Sequence, residues 1–257
     1  MATSNPAFSR NAAFGAPGAL AASRTLSDND LQDMYNKPAA GAQDTGHMTY
    51  EDTITKTGIA FAVLIVAAAV GWMFPLLAIP AAIAGFVLGL VNTFKKEPSV
   101  PLILLFSAAQ GLFVGGISVL FNNLYDGIVA QAIIATLVVV GVTLALFRSG
   151  KIRASKKATK IFLIAMIGYG IFSLINFGLV AFTGADSMRS GTLGLVIGLF
   201  AVILAAYSLV LDFDFVQKGV NNRAPSKYGW SAAFGIVLTV VWLYVEMLRI
   251  FSILRGE

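Results

Sequence analysis

Asp212 and Asp214 close one long apolar run, and Glu246 and Arg249 lie three residues apart inside the next. An ionisable group near the centre of a membrane helix costs about 2.5–3.5 kcal/mol on insertion scales, so a chain that keeps one there usually uses it. Asp212 and Asp214 are spaced i, i+2 and do not share a helix face. One is expected to point into the bundle and the other toward water. Carboxylates so placed can serve as a titratable gate, because a buried acid can change protonation near neutral pH. Their oxygens can also hold a hard cation such as Ca²⁺. The plainer alternative is a helix end that returns to water on acidic residues, although two acids at a helix C-terminus oppose its dipole. Glu246 and Arg249, at i, i+3, can pair on one face. They form either a structural ion pair near the membrane surface, with Arg249 snorkelling, or an acid that lines the outer half of a pore.

Few other polar groups lie inside apolar runs. They are Ser107, Gln110, Ser118, Ser173, Asn176, Ser208 and Thr239. Gln110 and Asn176 can line an ion path or brace the bundle through interhelical hydrogen bonds, and bracing is the commoner use of such residues.

The elements that position these groups follow from composition. The chain is 57% hydrophobic and 12% charged, about half the charge of a soluble domain. With several long apolar runs, this predicts an all-α integral membrane protein. There is no cysteine, and the single histidine, His47, lies in a polar segment. Thiolate metal sites, cysteine nucleophiles and His-based triads are therefore excluded. No zinc motif, P-loop or activated serine is present, so neither an enzymatic reaction nor a cofactor is expected. The net charge of +5 suits orientation against an anionic leaflet, and no nucleic-acid partner is expected.

Residues 1–54 are rich in small and polar types and predict a largely disordered tail. One short helix is expected there, capped by Ser27 with Asp28 and Asp30 in its first turn and Leu31, Met34 and Tyr35 on one face. Residues 55–257 predict a seven-helix transmembrane domain. Its runs are Thr57–Phe74, Leu76–Phe94, Pro101–Phe121, Gly127–Phe147, Thr159–Phe182, Gly191–Leu211 and Trp230–Ile250. Each approaches the ~20 residues needed to cross a bilayer. Pro75 marks a tight hairpin, and Pro80 is placed to kink the second run.

Basic residues cluster in alternate loops: Lys95 and Lys96, then Arg148 to Lys160, then Lys218, Arg223 and Lys227. The positive-inside rule places these loops and the N-terminus in the cytoplasm. Gly85–Gly89, Gly111–Gly115 and Gly194–Gly198 are GxxxG motifs, expected to pack helices within the chain. Tyr125, Tyr228 and Trp230 suit interfacial anchors.

Phe106–Ser118, FSAAQGLFVGGIS, resembles a signature of the Bax inhibitor-1 family, whose bacterial members include YccA-like proteins. LDFDFVQKGV and WSAAFGIVLTVVWLYVEMLRI look like its actinobacterial branch. The resemblance covers about residues 50–257. It implies seven helices with the last surrounded by the other six. It also implies a pH-sensitive cation leak, chiefly of Ca²⁺, gated by an acidic pair between helices six and seven. The helix-six acid falls on Asp212 or Asp214, and the helix-seven aspartate position falls on Thr239. The glutamate before the helix-three glycine is Gln110 here. Glu246 lies about 10 Å along the helix from Thr239.

The expected function is a passive, pH-sensitive cation leak, with Ca²⁺ the candidate ion, in a multi-pass plasma-membrane protein. Asp212 and Asp214 then sense protons at the cytoplasmic mouth. Glu246, beside Arg249, tunes the outer half, and Gln110 and Asn176 line or brace the path. The alternative is a non-transporting regulator of a membrane protease or stress response. In that case the N-terminal tail or the basic loop 148–160 contacts a membrane-protein partner.

Overall fold

The computed structural model describes residues 46–184 and 187–256. The expected helix near Ser27 lies outside them. Seven helices follow in order: α1 (Tyr50–Met73), α2 (Ala78–Phe94), α3 (Val100–Leu124), α4 (Ile128–Arg148), α5 (Lys156–Thr183), α6 (Gly191–Asn221) and α7 (Tyr228–Gly256). Each is long and apolar enough to cross a membrane, α2 together with the Pro75–Leu77 turn before it.

Local chemistry sets the helix ends. Thr49 caps α1, its hydroxyl accepting from Asp52 N at 3.1 Å, with Glu51 and Asp52 in the first turn, where acids complement the dipole. Pro75–Leu77 form one 3-10 turn between α1 and α2. Pro80 falls in the first turn of α2, where its missing N–H leaves no helical bond unmade. The kink expected there is not needed.

α6 corrects a larger expectation. Its apolar run stops at Leu211, but the helix continues to Asn221. Val216 is buried in this extension, and Lys218 provides a cation in the last turn. Asp212 and Asp214 therefore lie within the helix and not at its end.

Small residues let α1 and α3 approach at backbone distance. A methyl on Gly111 would strike the Leu64 carbonyl, and one on Gly115 the Ala68 carbonyl. Across the same seam, a methyl on Gly71 would strike the Leu112 backbone. Gly198 of α6 faces Ile250 of α7 in the same way, and Gly89 of α2 faces Phe106. All three GxxxG motifs are thus used inside the chain. This is the device expected where lipid tails are as apolar as the protein and close packing must drive association.

α7 is the spine. Half of its membrane-length window is buried, against 6% for α5. It packs on α1, α3, α4 and α6. One cluster joins Ile128 and Ala132 of α4 and Leu209 of α6 to Leu243 and Leu248 of α7. A second joins Leu64 and Phe106 to Val237 and Val241. α5 touches the bundle mainly through polar and aromatic side chains: Thr159 with Tyr207, Phe162 with Tyr207, and Tyr169 with Trp242.

Two candidate sites at opposite ends of the bundle

Asp212 projects from α6 toward α7. Thr239 of α7 donates to its Oδ2 at 2.9 Å, and Ser208 lies 3.2 Å from the Thr239 hydroxyl. Its Oδ1 faces Gly235, where an added methyl would sit 2.6 Å away. The absent side chain at 235 lets the carboxylate reach α7. Asp212 also lines a cavity of about 390 Å³ with Asn92, Lys95, Phe215, Tyr228 and Ser231. This cavity lies at the end of the bundle that carries the basic loops.

Asp214 points elsewhere. Its carboxylate pairs with the exposed Lys218 at 2.6 Å, one turn along the same helix. The two acids are not brought together, so a Ca²⁺ site built from both is not formed. Among the described residues no three His, Asp or Glu side chains converge. Of the two acids, Asp212 is the one facing α7, and Thr239 is the residue opposite it.

Gln110 borders a second cavity of about 360 Å³ with Gly85, Phe86, Phe113 and Leu238. The two cavities share Thr93. The rings of Phe106 and Phe234, one from each lining, meet edge-on with centroids 4.8 Å apart. Gln110 thus lies beyond an aromatic step from Asp212 and does not touch it.

The other end is built differently. Glu246 is 2% exposed and accepts from three donors. Arg249 reaches both oxygens at 3.1 and 3.2 Å, Arg189 lies at 2.8 Å, and the Tyr169 hydroxyl at 2.6 Å. Arg189 also donates to Tyr169 and lies 5.2 Å over its ring. Arg189 Nε makes no hydrogen bond among the described residues. The i, i+3 pair expected from sequence is present, but it belongs to a network joining α5, the α5–α6 connection and α7.

Arg189 and Tyr169 were not singled out in the sequence. Arg189 reads as an ordinary loop charge, and Tyr169 as one more aromatic in an apolar run. Asn176 is a brace: it accepts from Met188 N at 2.8 Å and lies 3.2 Å from Ser187 Oγ. It holds the α5–α6 connection that carries Arg189.

Seven membrane-length helices around a C-terminal spine, with a carboxylate on the sixth facing the seventh, define a polytopic membrane protein of one recognisable class. The chain belongs to the Bax inhibitor 1-like family, whose model matches residues 5–256. That match extends through nearly all of the tail, which the resemblance seen in the sequence had left out. A comparison with curated proteins finds no match.

Proposed function

We propose that this protein passes cations, Ca²⁺ among them, down their gradient across the plasma membrane, with Asp212 as the gating carboxylate. The observation that carries this is the placement of Asp212. It lines a cavity at the basic end, and its Oδ2 accepts from Thr239 on the central helix. The basic loops support a cytoplasmic placement of this end, by the positive-inside rule. Ca²⁺ stored tightly takes six to eight oxygens. One carboxylate with the hydroxyls of Thr239, Ser208 and Ser231 nearby binds such an ion weakly. Weak binding is what conduction needs, because an ion must leave as readily as it enters. Protonation of Asp212 would remove the charge that attracts the ion. The titratable groups sharing its cavity are Lys95 and Tyr228.

The opposite end favours a second reading. Two guanidiniums and a phenol cluster on Glu246, which closes that end and repels cations. A chain that never opens there acts as a non-transporting regulator.

Ca²⁺ flux into proteoliposomes between about pH 6 and pH 8, where a buried carboxylate can titrate, separates the two. The leak predicts pH-dependent flux that Asp212→Asn alters and Asp214→Asn leaves unchanged. No flux above empty liposomes, from folded protein, would leave the regulatory reading.

A further inference from the structure

Residues preceding α1 do not simply lead into the membrane. Gly46 to Thr49 cross the α6–α7 connection, and His47 forms an antiparallel bridge with Pro225. Met48 N donates to the Ala224 carbonyl at 2.7 Å, and Ser226 N donates to the Gly46 carbonyl at 3.0 Å. The first turns of α1 grip the same connection. Lys56 Nζ donates to the Ser226 carbonyl at 2.6 Å and to Asp52 at 2.6 Å, and Ser226 Oγ donates to Asp52 at 3.2 Å.

Met48 is the plug of this strap. It is 2% exposed and packs with Val216 of α6 and Ala232 of α7, with Tyr228 alongside. Its sulfur seats against Gly219, where an added methyl would fall 2.5 Å from Sδ. Two of these neighbours have a second face. Ala232 and Tyr228 also line the cavity that holds Asp212, as does Phe215, the chain neighbour of Val216. One thin wall therefore separates Met48 from the Asp212 cavity.

We propose that Met48 is a positioning residue: by filling its seat, the strap sets the wall of the Asp212 cavity and so controls access to that carboxylate. A flexible thioether suits an irregular seat. Local openings draw on the few contacts that hold a segment down, and among the described residues those contacts include one plug, two backbone bonds and the Lys56 contacts. The consequence for transport rests on the leak proposed above, but cavity access does not.

The absence of cysteine from the chain gives a clean test. Ser231→Cys places a thiol in the cavity lining, and Ser107→Cys places one at a position that is fully buried elsewhere. In full-length protein in nanodiscs, the rate of modification by a membrane-impermeant thiol reagent is measured at each position. Met48→Ala, which empties the seat, and Gly219→Ala, which fills it from below, should each raise the rate at position 231 about tenfold. Met48→Leu should restore it, and the rate at position 107 should stay low throughout. An unchanged rate at 231, or an equal rise at 107, overturns the proposal. Ca²⁺ flux is read on the same variants. A raised rate at 231 with no flux in any variant would support the strap and overturn the leak.

Discussion

The two ends of the bundle each hold an acid against α7, and they treat it in opposite ways. Glu246 is buried and satisfied by three donors, two of them cationic. Asp212 is half-buried, borders a cavity and takes one described side-chain hydrogen bond, from a neutral hydroxyl. Residue type does not separate these roles, since both are carboxylates in apolar surroundings. The number and charge of their partners do. An acid held by two guanidiniums and a phenol fixes three elements against one another. An acid held by one hydroxyl ties together only α6 and α7.

The comparison is broken most forcefully at the closed end. Glu246→Ala leaves two partly buried guanidiniums without their buried counter-ion and is expected to cost about 3 kcal/mol, read as a lowered thermal transition in nanodiscs. If stability barely moves, the network is not a lock. At the open end, Thr239→Val removes the donor to Asp212 for a cost of about 1 kcal/mol and should change Ca²⁺ flux more than it changes stability. A stability loss equal to that of Glu246→Ala would erase the distinction.

Asp214→Asn, which breaks a pair with the exposed Lys218, should cost less than about 0.5 kcal/mol and leave the pH profile of flux unchanged. The smallest effect concerns Glu97 and Lys227, which pair at 2.9 Å across two connections at the basic end. The hydrogen bond from Lys227, aided by its charge, holds Glu97 below the ordinary value of 4.5. An acid depressed in the folded state contributes fully above its unfolded value and loses that contribution as pH falls through its folded one. The transition temperature should therefore decline slightly on acidification from pH 4.5, and Lys227→Gln should flatten that decline.

Much of this was legible in the sequence. Hydropathy located all seven helices because each span must be apolar over its own length. The glycine pairs pointed to internal packing because backbone approach demands small residues. The Glu246–Arg249 pair followed from helical spacing alone. Three things were not legible. The i, i+2 spacing of Asp212 and Asp214 put them on different faces but could not say which face α7 would meet. The extent of α6 was hidden because Phe213 to Asn221 alternates polar and apolar residues, which hydropathy scores as the end of a span. Arg189 and Tyr169 gave no signal, since the contacts that make them matter come from 57 and 77 residues away in the chain.

The burial of α7 has a consequence for biogenesis. The helix that supplies more of the described core than any other is the seventh of these seven to leave the ribosome. Until it arrives, α1, α3, α4 and α6 present one another with an empty slot, and α5 has little but α6 to lean on. The six earlier helices can insert one by one, but the bundle cannot condense around its axis until the seventh is made. Condensation of the bundle therefore waits on α7, and a nascent chain stalled before Tyr228 is a loose raft of spans exposed to membrane quality control.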